Sequence, residues 1–136
     1  NIIKYDKRAN NCEINMRIED KLPITDLPDD QVQQVFINIL LNALDAIPEN
    51  KGEISITSNS GNGSINIEIK DNGKGIPESI INRIFDPFFT TKGVGKGTGL
   101  GLWVSYGIIE NLKGKISVES REGSGSTFKI KIPILR

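Results

Sequence analysis

Two glycine-rich turns carry the residue types from which a phosphate-binding or nucleotide-binding site can be built. Residues 71–75 (DNGKG) follow a strand-like run, and residues 97–102 (GTGLGL) open an apolar helical pattern. Glycines let backbone N–H groups approach a ligand closely, and the N-terminus of a helix favours phosphate. A carboxylate such as Asp71, at the end of a strand and directly before a glycine turn, can hold the amino group of a purine. Together the two turns predict a nucleotide site, although either one alone is typical of an ordinary structural turn.

Two asparagines in a helical pattern offer a second kind of chemistry. Asn38 and Asn42 are four residues apart and so share one helix face, at the edge of an apolar stripe. Carboxamide oxygens in such a position can ligate a hard cation, since Mg²⁺ usually takes only one or two protein oxygens besides phosphate and water. On their own, the same two residues favour the simpler interpretation of solvated or hydrogen-bonded asparagines. Lys92 and Lys96 could likewise meet a phosphate or remain solvated.

The bulk properties of the chain narrow the classes of function. The 136 residues suit one domain, and the zero net charge gives no electrostatic footprint for nucleic acid or an anionic membrane surface. The single cysteine excludes an internal disulfide and fits a reducing compartment, and no apolar run is long enough to span a membrane, so we expect a cytoplasmic domain. Because the chain has no histidine and begins with Asn, we expect a fragment of a longer protein, with any histidine acceptor of phosphate lying elsewhere.

Apolar periodicity and turn residues predict the elements that hold these side chains. Alternating runs predict five strands, at 12–18, 53–58, 65–70, 115–120 and 127–132. Helical spacing predicts three helices, at 32–47 (capped by Asp29 or Asp30), around 77–85, and at 100–112. Residues 86–98 contain three glycines and no apolar period, which predicts a flexible loop. The order of elements predicts an α+β two-layer sandwich, with helices covering one face of antiparallel strands.

Five segments resemble, in the same order, the ATP-binding catalytic domain of sensor histidine kinases, in the superfamily shared with gyrase, the MutL repair protein and the heat-shock chaperone ATPases. The segments are 38–43 (NILLNA), 71–75 (DNGKG), 85–89 (FDPFF), 97–102 (GTGLGL) and 123–128 (GSGSTF). The resemblance covers about residues 10–133. It implies a mixed, mostly antiparallel sheet with about three helices on one face, and a single domain over residues 1–136.

The resemblance also implies roles for particular residues. Asn42 is expected to coordinate Mg²⁺ with Asn38 supporting the same face, and Asp71 to bind the adenine amino group with Thr127 beside it. Residues 86–98 are expected to form a lid over ATP. The full set of expected nucleotide contacts is Asn38, Asn42, Asp45, Asp71, Gly73, Gly75, Ile76, Phe88, Thr90, Thr91, Lys92, Gly97, Thr98, Gly99, Leu100, Gly101, Leu102 and Thr127, with Lys92 and Lys96 as candidate phosphate contacts.

Two departures from the family pattern bear on the reaction. Asp45 stands where some members of the family carry a lysine that contacts phosphate. The positive charge that neutralises phosphate is therefore expected from Lys92 or Lys96. Asn38 stands where the gyrase, MutL and chaperone branch carries a glutamate that activates water, and asparagine is a poor base.

The resemblance therefore implies a kinase that transfers the γ-phosphate of Mg·ATP to a histidine on a separate dimerisation and acceptor domain, and from there to a response regulator. We expect the isolated chain to be a monomer that does not bind nucleic acid. Two alternatives are a nucleotide-sensing module without catalysis and a serine kinase of the anti-sigma-factor type.

Overall fold

The fold is built on one five-stranded sheet. The computed structural model describes residues 12–18, 29–47, 52–61, 63–87, 89 and 101–133. The strands, in chain order, are β1 (Cys12–Ile18), β2 (Gly52–Gly61), β3 (Ser64–Asp71), β4 (Lys115–Ser120) and β5 (Ser126–Pro133). Their order across the sheet is β1-β2-β3-β5-β4. The β1–β2 pair is parallel and the other pairs are antiparallel, so the expected mixed, mostly antiparallel sheet is confirmed.

Two α-helices are present in the described part of the chain, α1 (Asp29–Ala46) and α2 (Gly101–Asn111). α1 includes Asp29 and Asp30, so these two residues lie in its first turn rather than ahead of it as a cap. At its C-terminus α2 ends where expected, because the Gly114 N–H donates to the Ile109 carbonyl at 2.9 Å and Lys113 adopts φ 64°.

The core lies between the helices and one face of the sheet. Alternate residues of the central strands β3 and β5 are buried there, among them Ile67, Ile69, Phe128 and Ile130. α1 covers them with a stripe at helical spacing that contains Val35, Ile39 and Ala43. The residues between them on β3 and β5 are polar and lie on the other face, as in Asn66, Glu68 and Lys129. The predicted α+β two-layer arrangement is therefore confirmed.

Two predicted elements differ from the structure. The segment 77–85 is not an α-helix: it forms successive turns with bonds between residues three apart, such as the Arg83 N–H to the Ile80 carbonyl at 2.9 Å, and one short 3₁₀ helix, Ile81–Arg83. So short a helix is marginal without extensive packing, and Ile84 is the one fully buried side chain of this segment. The β2–β3 hairpin is longer than expected, since Gly61 still pairs with Ser64 and Gly63 takes φ 77° in the turn.

Candidate nucleotide site

Asp71 is the most distinctive polar residue in the described structure. It is the last residue of β3, and its side chain is buried, with 3% of the residue exposed. The Gly73 N–H donates to its Oδ1 at 2.8 Å, and the Ser126 backbone N–H also bonds to its carboxylate. Burial raises the pKa of Asp71 above the ordinary 3.8, while the two N–H groups act in the opposite direction. A buried carboxylate whose partners among the described residues are backbone N–H groups is suited to accept a hydrogen bond from a ligand.

The turn after Asp71 requires glycine because it lies against two other backbone segments. A Cβ on Gly73 would lie 2.5 Å from the Ala46 carbonyl oxygen at the end of α1. A Cβ on Gly75, where φ is 73°, would lie 2.1 Å from the Arg121 carbonyl oxygen. The Lys74 N–H donates to the Ala46 carbonyl at 2.8 Å. The turn is therefore held between the end of α1 and the β4–β5 hairpin.

The sheet register corrects the prediction for Thr127. Asp71 pairs directly with Ser126, whereas Thr127 pairs with Lys70. Because side chains alternate between the faces of a strand, Ser126 shares the face of Asp71 and Thr127 lies on the opposite, outer face. Ser126 is buried, with 6% exposed. The residue beside Asp71 is thus Ser126, one position earlier than predicted.

The hydroxyl of Ser120 on β4 also lies in this region, and the sequence analysis did not predict it. Ser120 Oγ accepts from the Ile76 N–H at 2.7 Å, donates to the Gly125 carbonyl at 2.9 Å and lies 2.8 Å from Ser126 Oγ. Ile76 itself is half-buried and packs against the core. A count of alternating faces back along both strands from the 122–125 turn would have placed Ser120 and Ser126 on the inner face, next to the end of β3.

Asn38 links α1 to the beginning of α2. Its Nδ2 donates to the Gly101 carbonyl at 3.0 Å and to Ser105 Oγ at 3.2 Å, and its Oδ1 accepts from Gln34 at 2.8 Å. Ser105 is fully buried and its hydroxyl donates to the Gly101 carbonyl at 2.9 Å. Ser105 was also missed from the sequence, where nothing sets it apart from a helix-packing residue.

Asn42 lies one turn further along α1, on the face of Asn38, and is half-buried. No side chain or backbone group in the described ranges makes a hydrogen bond to its carboxamide. One turn beyond it, Ala46 contacts the turn at Gly73 and Lys74. Asn42 therefore lies midway along a stretch of about 12 Å, from the first residue of α2 to the glycine turn.

The remaining predicted contacts are spread around this face. Gly101 is the first residue of α2, Leu102 packs on the core beside it, and Asp45 is exposed in the last turn of α1. Phe85, at the start of the predicted aromatic segment, packs against Tyr106 and edge-on against Phe128, with ring centroids 5.6 and 6.4 Å apart. The predictions that lie outside the described residues are those for Phe88, Thr90, Thr91, Lys92, Lys96, Gly97, Thr98, Gly99 and Leu100.

The donor set restricts what kind of cation could bind. Within the described ranges, no group of three or more Cys, Asp or Glu side chains is placed to hold a metal ion. A cation at Asn42 would therefore have a carboxamide oxygen as its protein ligand. Such a site fits Mg²⁺ bound mainly by phosphate oxygens and water.

The fold and this arrangement of residues define a class of nucleotide-binding domain, and comparison with known proteins gives the family. Residues 28–136 match the family described as histidine kinase-, DNA gyrase B-, and HSP90-like ATPase. The chain belongs to this family, and the resemblance seen in the sequence is confirmed.

Three relatives illustrate the relationship. Sporulation kinase A of Bacillus subtilis (strain 168) is 47% identical over 103 residues, which are 76% of this chain and 16% of that protein. The solved catalytic domain of histidine kinase ThkA, in a nucleotide-free form, has a TM-score of 0.83 at 35% identity and covers 98% of this chain and 86% of that one. Full-length ShkA in complex with AMPPNP has a TM-score of 0.81 at 25% identity, over 93% of this chain and 27% of that one.

The chain thus spans about a sixth of the length of sporulation kinase A. Across the ranges that the structure describes, no helix has the length and apolar character needed to cross a membrane.

Proposed function

We propose that this chain is the ATP-binding catalytic domain of a protein-histidine kinase. In this proposal it binds Mg·ATP and transfers the γ-phosphate to a histidine on a separate dimerisation and acceptor domain. The observation that carries it is the placement of Asp71 and Asn42, a buried carboxylate and a half-buried carboxamide on either side of the contact between Ala46 and the glycine turn. Family membership and the AMPPNP bound by ShkA support an adenine nucleotide as the ligand.

The purine end of the site is assigned to Asp71. Its carboxylate would accept a hydrogen bond from the adenine amino group, while Gly73 and Gly75 hold the turn close to the α1 and hairpin backbones. Guanine presents an oxygen acceptor at the equivalent ring position. The guanine oxygen and the Asp71 carboxylate would then face each other as two acceptors, and without water each would lose a hydrogen bond. Guanine nucleotides should therefore bind poorly.

The phosphate end is assigned to Asn42 and to the lid over residues 86–98. The Asn42 carboxamide oxygen would hold Mg²⁺. When bound, the cation would neutralise part of the negative charge of the phosphates. Asp45 cannot neutralise phosphate, so that role is assigned to Lys92 or Lys96. The remaining contacts proposed for the lid and for the start of α2 are Phe88, Thr90, Thr91, Gly97, Thr98, Gly99, Leu100, Gly101 and Leu102.

The hydrogen bonds of Asn38 favour phosphoryl transfer over hydrolysis. Both of its amide hydrogens are donated, to the Gly101 carbonyl and Ser105 Oγ, and its oxygen accepts from Gln34. A neutral carboxamide engaged in this way has no capacity to take a proton from water. At this position of the described helix α1 the chain therefore has no base to activate water, which suits transfer of the phosphoryl group to an incoming histidine.

The acceptor is assigned to another domain because the 136-residue sequence contains no histidine. The greater length of sporulation kinase A is consistent with additional domains in proteins of this kind. From the acceptor histidine the phosphoryl group would pass to an aspartate of a response regulator. We propose that residues 1–136 act as one cytoplasmic domain that is monomeric in isolation, whether or not the whole kinase is attached to a membrane.

Phosphoryl transfer in trans tests the proposal. The chain is mixed with Mg²⁺, ATP labelled on the γ-phosphate, and a dimerisation and acceptor domain encoded in the same gene. We expect acid-labile label on the acceptor, which disappears when the acceptor histidine is replaced by Gln. The Asn42→Ala variant should lose transfer, while Asn111→Ala, an exposed asparagine at the end of α2, should retain it.

The other outcomes identify the alternatives. ATP binding without labelling of the acceptor would indicate a nucleotide-sensing module. Acid-stable label on a serine of a partner protein would indicate a serine kinase of the anti-sigma-factor type. Either outcome would contradict the assignment of histidine kinase activity.

A further inference from the structure

A cavity of about 210 Å³ lies at the end of β3 that is remote from Asp71. It is lined by the β2–β3 turn at Gly63 and Ser64, by residues 113–115 between α2 and β4, and by the last part of β5. Ser64 and Asp71 are the first and last residues of β3, so about 23 Å of strand separates them. The cavity is therefore distinct from the proposed nucleotide site.

The charged residues that line this cavity are all lysines. They are Lys113, Lys115 and Lys131, each of them exposed, and no aspartate or glutamate is among the lining residues. Within the described ranges, no ion pair joins any of the three to a carboxylate. Because lysine is positively charged at neutral pH, the cavity has three positive charges around it that the described chain does not neutralise.

The sheet register brings two of these charges directly opposite each other. Lys115 on β4 pairs with Lys131 on β5, and both side chains lie on the outer face. Directly opposed side chains on antiparallel strands have Cβ atoms about 4.5–5.5 Å apart, and like charges in that position are destabilising. The partner of Lys131 on its other side is Asn66, which is uncharged. The pair therefore lowers the stability of the sheet unless an anion lies beside it.

Lys129 shows how the same face treats a lysine that is neutralised. It lies two residues before Lys131 on β5, and its Nζ is 2.9 Å from a carboxylate oxygen of Glu119 and 3.9 Å from one of Glu68. One lysine thus has an acid on each neighbouring strand, while the next lysine on that face has an asparagine and another lysine.

The backbone around the cavity is held closely in place. A Cβ on Gly114 would lie 2.4 Å from the Lys131 carbonyl oxygen, so the connection between α2 and β4 lies directly against β5. The Gly114 N–H donates to the Ile109 carbonyl at 2.9 Å. Lys113 and Lys115 flank this glycine, and both are therefore fixed by their backbone next to Lys131.

We propose that this cavity binds a small anion that carries a phosphate group, with Lys113, Lys115 and Lys131 as its cationic ligands. A phosphate group has a charge of about −1.5 to −2 at pH 7 and three strong acceptor oxygens, so it can meet several lysines at once. A single carboxylate has one negative charge and would offset the repulsion only in part. The cavity has room for several water molecules, and hence for a hydrated phosphate group.

NMR titration of the ¹⁵N-labelled chain at constant ionic strength tests the site directly. Inorganic phosphate and glycerol 3-phosphate are the probes, and chloride is the reference. We expect saturable shifts of the Gly63 and Gly114 amide resonances, while those of Gly73 and Gly75 in the proposed nucleotide site stay unchanged. Tighter binding of glycerol 3-phosphate would identify a phosphorylated small molecule as the ligand, and tighter binding of phosphate would identify the inorganic anion. Shifts confined to Gly73 and Gly75, or shifts that do not saturate, would overturn the proposal.

Thermal denaturation of Lys131→Gln gives a second test, in which the order of stabilities should reverse. At low ionic strength without phosphate the variant should unfold at a higher temperature than the parent, because the like-charge pair is gone. In saturating phosphate the parent should gain about 2–4 °C and become the more stable of the two. Phosphate should also bind to the variant at least about fivefold more weakly.

Lys129→Gln is the matched control, because it removes a lysine of the same strand that already has two acidic partners. It should not gain stability at low ionic strength, and it should keep the response of the parent to phosphate. An equal rise in the unfolding temperature of the parent and of Lys131→Gln would reflect the general exclusion of phosphate from protein surfaces, and would overturn the proposal.

Discussion

At the scale of single residues, the proposed site contains groups with hydrogen-bonding capacity left for a ligand and groups that hold other protein groups in place. Asp71 and Asn42 have capacity left for a ligand, in the sense that their described partners do not use all of their hydrogen-bonding atoms. Asn38, Ser105 and Ser120 are engaged with protein atoms instead. Substitutions in the two groups should therefore have different effects on affinity and on stability.

Replacement of Asp71 by Asn should remove a stability penalty that depends on pH. Because burial raises the pKa of Asp71 above 3.8, the folded state holds this proton more tightly than the unfolded state does. Ionisation of Asp71 therefore lowers the free energy of unfolding as pH rises from about 3.8 through the raised pKa. Above that pKa the loss of stability stays constant. The stability of Asp71→Asn relative to the parent should increase over that range, as measured by urea denaturation at a series of pH values. A difference that is constant with pH would contradict the assignment.

The two asparagines of α1 should behave in opposite ways. Asn42→Ala should weaken ATP binding in Mg²⁺ by about tenfold or more, since even residues that only support a metal ligand have effects of that size. Its stability should change little, because its carboxamide has no hydrogen bond within the described ranges. Asn38→Ala should lower the free energy of unfolding by about 1–3 kcal/mol, because the Gly101 carbonyl and the buried Ser105 lose a partner. Titration with ATP measures the affinity of each variant, and thermal denaturation measures its stability. If the two variants changed affinity and stability to the same extent, the different roles assigned to Asn38 and Asn42 would be contradicted.

At the scale of elements, the site is a junction rather than a single motif. The glycine turn after β3 lies between the C-terminus of α1 and the β4–β5 hairpin, and the first turn of α2 is bonded to Asn38. These contacts join segments far apart in sequence. The requirement for glycine at Gly73 and Gly75 is therefore a packing requirement of this junction.

Alanine at Gly73 tests that requirement. The added Cβ would lie 2.5 Å from the Ala46 carbonyl oxygen, so the turn or the end of α1 must shift. We expect a loss of about 1–3 kcal/mol in the free energy of unfolding and weaker ATP binding. Gly107→Ala is the matched control, because nothing lies within 4 Å of that Cβ in α2 and alanine favours a helix by about 0.5–1 kcal/mol. A Gly73 variant as stable as the parent would show that the close approach can relax freely.

The outcome for each element shows which kinds of information the sequence contains. Alternating apolar residues and glycine turns predicted the five strands of the described residues, because burial on one face imposes a period of two. The short helix predicted around 77–85 is present only as the 3₁₀ helix Ile81–Arg83, and the rest of the segment makes turns closed by hydrogen bonds between residues three apart. The Thr127 prediction was wrong by one residue because Ser126, and not Thr127, alternates in step with the buried Phe128 and Ile130, and pairing with β3 then places Ser126 opposite Asp71. The roles of Ser105 and Ser120 depend on contacts between distant elements, which no local pattern reports.

At the scale of the whole molecule, the helix that begins at the proposed nucleotide site carries an exposed apolar surface. α2 exposes Trp103, Val104 and Tyr106, at 47%, 37% and 40%, immediately after the segment proposed as the lid. In the proposed function this surface follows the lid segment directly in sequence and is a candidate contact for the acceptor domain. Exposed apolar groups on a domain surface commonly mark contacts with another protein.

Replacement of Trp103 by Ala should therefore reduce phosphoryl transfer in trans while leaving ATP affinity within about twofold of the parent. The expected change is a higher concentration of acceptor domain at half-maximal rate, because apolar area is lost from the contact between domains. Glu110→Ala, an exposed residue on the same helix, is the control. Equal transfer by the parent and the Trp103 variant at low acceptor concentration would exclude a role for this surface.

The most direct test of the central claim is calorimetric titration of the chain with ATP, with and without Mg²⁺, and with GTP under the same conditions. We expect ATP to bind, and we expect Mg²⁺ to change its affinity in the parent but not in Asn42→Ala. GTP should bind at least tenfold more weakly because its 6-oxo group meets the acceptor at Asp71. Equal binding of the two nucleotides, or no binding of ATP, would contradict the assignment of this site to adenine nucleotides.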